Sequence, residues 1–285
     1  MGKKIAFLLA LCGLVVCIIF SWDIPGQNDV DGTKGLQYKL TEDRRGYIVR
    51  DIGWAEDRQI VVPSEYRNKP VVAIGKGAFS SCEKIISISI PDSVTSIGDG
   101  ALSDCTNLET VVWSQNSGLK TIGHRAFASS GLVTIDIPDG VTTIGEYAFY
   151  ECEQLKKVSL GDNVTDIGGY AFCECPSLTA IALPKGLTEI SMGAFFSSGL
   201  SSIEIPFGVT RIWVNAFTDC HSLISITIPS SVTEIDTAAF SFCKSLKKIY
   251  FDGSKEQWGA IKKGKDWNRN TASYTVYCTD GNLGK

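Results

Sequence analysis

Apolar and polar residues follow one pattern along most of this chain, and the pattern recurs about every 23 residues. The dipeptide Ala-Phe marks each copy, and successive copies are separated by 22, 23 or 25 residues. A period in this range is typical of a solenoid whose coils stack on one another. We therefore expect a scaffold that presents surfaces, not a globular core with a cleft. The copies lie at Ala78-Phe79, Ala126-Phe127, Ala148-Phe149, Ala171-Phe172, Ala194-Phe195, Ala216-Phe217 and Ala239-Phe240, with Ala101-Leu102 as the one variant.

Each copy of the pattern predicts a short strand followed by a turn. In the copy that begins at Ile85, Ile88 and Ile90 alternate with serines, which indicates a strand with one buried face. Pro91 then ends the strand, because proline cannot donate to a ladder. Gly98 suits a backbone with positive φ or a close approach of two backbones. The segment from this glycine through Ala-Phe predicts one helical or 3₁₀ turn, so each coil has a strand side and a turn side.

The whole template reads L-x-x-I-x-I-P-x-x-V-x-x-I-G-x-x-A-F-x-x-C. It resembles the leucine-rich repeats of the BspA-like family of surface proteins over roughly residues 36–278. The resemblance implies a β-rich solenoid with a right-handed leucine-rich-repeat superhelix, and an interaction role at the cell surface. The departures from the template are local: Ser114 and Gly161 replace the proline, and Ser191, Trp213 and Asp236 replace the glycine.

The pattern and its ends divide the chain into five segments. A lone coil cannot offset the entropy of ordering its backbone, so coils must stack and the array needs a cap at each end. The predicted segments are a signal peptide or membrane anchor at 1–22, a flexible linker at 23–35, an N-terminal cap at 36–74, a leucine-rich repeat array of about eight coils at 75–251, and a C-terminal cap of short helix plus strand at 252–285.

The first segment has the features of a targeting sequence. Lys3 and Lys4 precede a run of uncharged, mostly apolar residues, Ile5–Phe20, which has the length of a signal peptide. A cleaved signal and an uncleaved anchor both fit. The two lysines favour an N-terminus inside the cell and repeats outside. We therefore expect an extracellular or cell-surface protein. If the segment is an uncleaved anchor, it would hold the protein at the surface as an N-terminal transmembrane segment.

The two caps have their own local signals. Leu36–Leu40 and Tyr47–Arg50 predict a hairpin in the N-terminal cap. Ser254, followed three residues later by Gln257, predicts the capping box of a short helix. Tyr274–Cys278 predicts a strand that closes the array.

The net charge and the motifs of the sequence argue against several classes of function. The net charge is −4, and no basic stripe follows the repeats, so nucleic acid is not an expected partner. Cys173-x-Cys175 is only half of a zinc site, and no catalytic motif appears, so we expect no metal, no cofactor and no enzyme. An enzyme would need a pocket in the C-terminal module around Trp258, Trp267 and Tyr274.

The cysteines allow two interpretations. Six of the ten share one template position: Cys82, Cys105, Cys152, Cys175, Cys220 and Cys243. Stacked coils lie ~4.8 Å apart, so the adjacent pairs 82/105, 152/175 and 220/243 are within reach of disulfides. The alternative is a ladder of small buried thiols, because free cysteine behaves as a compact apolar residue.

The turn side carries the residues that suggest a partner. Equal template positions of neighbouring coils come together, so the aromatic residues of the middle coils should form one patch. Exposed aromatic clusters often mark protein or glycan contacts. The alternative is that the rings lie flat and cover the Ala-Phe layer. The predicted partner-binding residues are Tyr147, Tyr150, Tyr170, Phe196 and Trp213.

These observations support an exported, non-enzymatic cell-surface protein that binds or adheres to a protein or glycan on another cell or matrix. The adhesion role comes from the family resemblance, whereas the residues themselves indicate only an exported scaffold. The alternative is a structural envelope protein with no specific ligand, which would self-associate through its strand face. In either case, membrane contact is expected only through the N-terminal segment.

Overall fold

The computed structural model of the protein describes residues 32–284. The predicted targeting segment and most of the predicted linker lie outside the described residues. Within residues 32–284 the one helix, α1, has six residues, and no helix reaches a membrane-spanning length.

Short strands joined by turns make up nearly all of the described chain. The elements in chain order are β1 (Gln37–Leu40), β2 (Tyr47–Asp51), β3 (Gln59–Val61), β4 (Glu65–Tyr66), β5 (Lys69–Ile74), β6 (Ser87–Ile90), β7 (Ser96–Ile97), β8 (Thr110–Trp113), β9 (Thr121–Ile122), β10 (Thr134–Asp136), β11 (Thr143–Ile144), β12 (Lys157–Ser159), β13 (Asp166–Ile167), β14 (Ala180–Ile181), β15 (Glu189–Ile190), β16 (Ser202–Glu204), β17 (Arg211–Ile212), β18 (Ser225–Pro229), β19 (Glu234–Ile235), β20 (Lys248–Asp252), α1 (Lys255–Ala260), β21 (Lys262–Lys263), β22 (Thr275–Cys278) and β23 (Gly281–Gly284).

Parallel pairing between successive coils confirms the solenoid. The predicted strands pair in register, so that Ile88 lies opposite Val111 and Ile226 opposite Ile249. All four of these side chains point inward, and the residues that alternate with them form the outer strand face. The period-two pattern therefore places one apolar layer inside every coil, as a leucine-rich repeat requires.

Each coil also has a second short strand that the template did not predict. It is only two residues long, as in β11 and β13, and it ends at the template isoleucine. The glycine that follows it lies against the previous coil. A Cβ on Gly168 would lie 2.5 Å from the amide nitrogen of Glu146, and one on Gly145 would lie 2.6 Å from the carbonyl carbon of Gly123. Close approach of two backbones, not positive φ, therefore explains this glycine.

The turn side consists of successive hydrogen-bonded turns in place of the expected helical turn. Two residues of each coil adopt positive φ, one directly before Ala-Phe and one four residues later. Left-handed residues at this spacing break a helix and direct backbone N–H groups toward the next coil. In the coil of Phe149, the N–H groups of Tyr147, Phe149 and Glu151 donate to the carbonyl groups of Gly169, Ala171 and Cys173 at 2.9, 2.9 and 3.0 Å.

The core is a set of stacked columns. The phenylalanine rings of the Ala-Phe dipeptides are fully buried and lie parallel, with centroids 5.3 Å apart between Phe149 and Phe172. The column runs from Phe127 to Phe240, and Trp267 of the C-terminal cap closes it with an edge-on ring at 6.1 Å. The edge-on ring ends the stack, so the array does not present a bare aromatic face at this end.

The pairing of the second strands is interrupted once within the array. The sheet of second strands stops after β13 and resumes at β15, where Ser191 stands in the place of the template glycine. The Ser191 hydroxyl donates to the carbonyl oxygen of Ile167 at 2.6 Å. The ring centroids of Phe172 and Phe195 are 5.8 Å apart at this junction, the widest step in the column. The two coils are thus spaced slightly more widely at this junction than elsewhere in the column.

The caps extend the same stacking beyond both ends of the predicted array. The predicted hairpin is confirmed as the antiparallel pair of β1 and β2, while β3 and β5 already pair with the strands of the next coil. At the other end, Ser254 and Gln257 form the predicted capping box of α1. The closing strand is β22, and an antiparallel strand β23 that was not predicted follows it.

Candidate functional site

The turn side brings three of the predicted tyrosines together. Tyr147 and Tyr170 occupy the left-handed position before Ala-Phe in successive coils, with φ of 57° and 58°. Their rings stack with centroids 5.0 Å apart at 10°. Tyr150, which follows Ala-Phe in the first of these coils, meets Tyr147 edge to face at 5.6 Å. Because the two tyrosines share one template position, the spacing of the coils brings their rings into direct contact.

Arg125 extends the stack toward the N-terminal side. It holds the same left-handed position one coil earlier, and its guanidinium carbon lies 5.2 Å from the Tyr147 ring centre and 5.5 Å from that of Tyr150. These distances are within cation–π range. His124 adds an edge contact with Tyr147 at 5.6 Å. We call Arg125, Tyr147, Tyr150 and Tyr170 the tyrosine cluster.

Gly193 ends the stack on the other side. A Cβ at this position would lie 2.5 Å from Cδ1 and 2.9 Å from Cζ of the Tyr170 ring. The glycine therefore leaves the space that the ring of Tyr170 occupies, and it holds the same left-handed position as the tyrosines, with φ of 58°. Both faces of Tyr147 and of Tyr170 are thus in contact with protein groups, and the ring edges remain for solvent or a partner.

Two hydroxyl groups of the cluster, those of Tyr150 and Tyr170, have a raised pKa. A hydrogen bond with Glu151, burial, and the nearby charge of Glu174 raise the pKa of Tyr150 to about 12. Burial and the neighbouring Tyr147 raise the pKa of Tyr170. A protonated phenol can donate and accept at neutral pH. The Tyr150 hydroxyl already bonds to Glu151 and keeps its acceptor capacity, whereas the Tyr170 hydroxyl is suited to either kind of polar contact with a partner.

Phe196 and Trp213 lie outside these ring contacts. Cys173, which is buried, separates Phe196 from Tyr150 in the same column. Trp213 replaces a template glycine, so it belongs to another column, where the Arg211 guanidinium carbon lies 3.6 Å from its ring centre. Its indole Nε1 donates to Glu189 at 2.8 Å. The structure therefore joins three of the five predicted residues in direct ring contact.

The exposure of the five predicted side chains is compatible with both alternatives of the sequence analysis, a contact with a partner and a cover for the Ala-Phe layer. Each side chain is half-buried. The rings therefore cover the layer beneath them and also present an exposed part. Arg125, His124 and Gly193 were missed because only aromatic residues were compared between coils, although Arg125 and Gly193 share the template position of Tyr147 and Tyr170.

The C-terminal module is built as a cap. Trp258 and Trp267 meet at 6.1 Å, and Trp267 and Tyr274 at 6.3 Å. Phe251 packs on Trp258 at 5.2 Å. Among residues 32–284, no group of three or more histidine, cysteine or acidic side chains is placed to hold a metal ion.

The repeat itself decides the family. A family model described as the BspA type leucine rich repeat region matches residues 72–199 and 142–260 and counts six copies. The two matches overlap and together cover more than half of the chain. The chain belongs to the BspA-type leucine-rich repeat family.

Three solved structures similar to this BspA-type protein come from bacteria. A leucine rich cell surface protein from Faecalibacterium prausnitzii is 24% identical to this chain. The match covers 80% of this chain and 96% of that protein, with a TM-score of 0.38. A leucine-rich repeat protein from Bacteroides ovatus is 22% identical, with coverages of 82% and 78% and a TM-score of 0.49. The leucine rich repeat protein of T. pallidum is 26% identical, with coverages of 76% and 83% and a TM-score of 0.44. No curated protein matches the chain.

The cysteines of the BspA-type template serve as small hydrogen-bond donors in the structure. All six predicted positions hold free cysteines, and five of them are completely buried: Cys105, Cys152, Cys175, Cys220 and Cys243. The thiol sulfur of Cys105 lies 3.0 Å from the carbonyl oxygen of Phe79, and that of Cys175 lies 3.1 Å from that of Phe149. Serine, which also donates, holds the position in the coil of Ser130. The disulfide pairing 82/105, 152/175 and 220/243 stays a prediction.

We expect the buried thiols of Cys105, Cys152 and Cys175 to react slowly in the folded protein. Burial raises the pKa of Cys105 to about 12 and that of Cys152 to about 11, and it raises the pKa of Cys175 well above its usual value. Burial also raises the pKa of Cys82 and Cys278, but these two half-buried thiols are accessible to the reagent. Iodoacetamide at pH 8 should therefore modify them at least about tenfold faster than Cys105, Cys152 and Cys175. Peptide mass spectrometry over a time course measures this difference.

Unfolding without a reductant provides the control for this labelling. All six template cysteines should then react at similar rates. Pairs that remain unmodified until a reductant is added would establish the disulfides and contradict the thiol ladder.

Proposed function

We propose that this BspA-type protein is an exported, non-enzymatic cell-surface protein that binds a macromolecular partner through the tyrosine cluster. The observation that carries the proposal is the stack of Arg125, Tyr147 and Tyr170 across successive coils of a rigid array. Tyrosine and arginine are enriched among residues that dominate binding energy at protein interfaces. The positions of Lys3 and Lys4, together with the family, support a location outside the membrane with contact only through the N-terminal segment.

A protein suits the cluster better than a glycan. A sugar usually needs an open ring face on which to stack, whereas both faces of Tyr147 and Tyr170 are occupied. The exposed edges and neutral hydroxyls instead suit polar and apolar contacts with a polypeptide. Within residues 32–284, Arg125 has no carboxylate at ion-pair distance, which leaves its guanidinium donors for a partner.

The double variant Tyr147→Gly and Tyr170→Gly tests the proposal without disturbing the fold. Glycine already holds this left-handed position at Gly100 and Gly193, so the repeat accepts it. Loss of two central contact residues should weaken partner binding by about 2 kcal/mol or more, roughly 30-fold. The measurement is binding of the purified protein to an array of extracellular-matrix proteins and glycans, followed by titration of each hit.

Asn215→Gly is the matched control, because Asn215 holds the same left-handed position at φ of 58° outside the cluster. It should bind like the wild type. Equal binding by the double variant would contradict the role of the cluster. Glycan-only binding that is lost in the double variant would correct the partner class to glycan. Absence of any hit, together with self-association in sedimentation, would favour the structural envelope alternative.

A further inference from the structure

A second surface site lies on the N-terminal cap, far along the array from the tyrosine cluster. It is an open cleft of about 550 Å³. Trp54 is the dominant apolar side chain of the cleft and is 72% exposed, an unusual exposure for so large an apolar group. The residues that line the cleft are Gly32, Thr33, Lys34, Trp54, Glu56 and Asp57.

The Trp54 ring rests on backbone with one face. A Cβ on Gly35 would lie 2.8 Å from Cδ2 and 3.0 Å from Cε3 of the indole. Cδ2 is a ring-fusion carbon whose in-plane directions are all taken by bonds, so Gly35 must contact a face of the ring. Gly35 has φ of 97°, where another residue would be strained. Because most of the side chain is exposed, the opposite face is open to the cleft.

The walls of the cleft are tied to the array. Thr33 exchanges hydrogen bonds with Val61 of β3: its N–H donates to the Val61 carbonyl and its hydroxyl accepts from the Val61 N–H, both at 2.8 Å. On the other wall, Lys84 donates to the carbonyl oxygen of Ala55. The Asp51 carboxylate accepts the Gly53 N–H at 2.7 Å and fixes the turn that precedes Trp54. The backbone that carries the Trp54 ring is therefore preorganised.

We propose that this cleft is a carbohydrate-binding subsite in which a pyranose ring stacks on the free face of Trp54. The polar groups around the ring are an ammonium donor, Lys34, and two carboxylate acceptors, Glu56 and Asp57. A sugar hydroxyl both donates and accepts, so it matches a rim that supplies donors and acceptors together. A cationic ligand would meet the like charge of the Lys34 ammonium at the same ring, so a cation is the competing ligand class that the test includes.

Fluorine NMR of the full-length protein labelled with 5-fluorotryptophan tests the subsite. The Trp54→Phe variant assigns the Trp54 resonance. The probes are the methyl glycosides and β-linked trisaccharides of glucose, galactose, mannose and N-acetylglucosamine, with tetramethylammonium as the cation probe. At least one sugar should move the Trp54 resonance saturably. Lys34→Ala should weaken that binding by at least about fivefold, because it removes the donor side of the rim.

Phe207→Ala is the control variant, because Phe207 is equally exposed, at 73%, on a different part of the array. Its sugar affinity should equal that of the wild type. Three results would overturn the subsite: no response of Trp54 to any sugar, a response to tetramethylammonium alone, or a sugar affinity that Lys34→Ala leaves unchanged. The subsite does not depend on the tyrosine cluster, so each can fail while the other stands.

Discussion

Gly168→Ala is expected to lower the free energy of unfolding by about 3 kcal/mol or more, a large effect for the addition of one methyl group. The new Cβ would lie 2.5 Å from the amide nitrogen of Glu146 and 2.7 Å from the carbonyl carbon of Gly145. Both are backbone atoms inside a hydrogen-bonded ladder, so neither can swing away as a side chain would. Urea denaturation of the purified protein measures the loss.

Ser191→Ala provides the matched comparison, because Ser191 holds the same template position one coil later. Its Cβ is already accommodated at the interruption between β13 and β15. The variant loses only the hydroxyl donor to Ile167 and should cost about 1 kcal/mol. If Gly168→Ala costs no more than Ser191→Ala, close backbone packing is not the reason for the glycine.

Phe149→Ala is expected to cost 3–5 kcal/mol, roughly the range for removal of a fully buried aromatic ring. Phe149 is completely buried and stacks on Phe127 at 5.4 Å and on Phe172 at 5.3 Å. The cavity would interrupt the column in the middle of the array, where each coil depends on its neighbours for stability. The free energy of unfolding from urea denaturation measures this cost.

The chain supplies its own control for the phenylalanine column. Leu102 holds the same template position and is also completely buried. Phe149→Leu should therefore cost less than about 1.5 kcal/mol, because a similar apolar volume remains. Equal costs for Phe149→Ala and Phe149→Leu would contradict the stacked column as a main source of stability.

The repeating part of the fold was predictable because each position recurs in several coils. Ile88 and its equivalents fixed the buried face of the first strand, and the Ala-Phe dipeptides fixed the phenylalanine column. The turn side was harder to predict. A short segment with Ala-Phe suggests a helical turn, but left-handed residues of many types, including Tyr147 and Ala238, form a backbone ladder instead. That conformation depends on hydrogen bonds to the next coil and not on local propensity.

The candidate site was predictable only where residues share a column. Tyr147 and Tyr170 hold one template position, so stacking brings their rings together as expected. Trp213 holds another position, and its partners are Arg211 and Glu189. We grouped Trp213 with the tyrosines because aromatic residues occur in successive coils, although Trp213 does not share their template position.

Features outside the repeat could not be derived from the pattern. The strand β23 and the cleft of Trp54 belong to the caps, where no second copy of the sequence reveals which residues meet. The contact of Trp54 with Gly35 depends on a single loop conformation at positive φ. Only the three-dimensional structure brings those residues together.

Site-specific photocrosslinking tests the central claim most directly, because it asks which side of the coil meets the partner. Tyr150 lies on the turn side and Lys157 on the strand face of the same array segment. The photoreactive residue p-benzoylphenylalanine, placed at one position or the other, is irradiated with each matrix protein that the wild type binds. The account predicts crosslinked product from position 150 and none from position 157. Product from position 157 alone would contradict it and assign binding to the strand face.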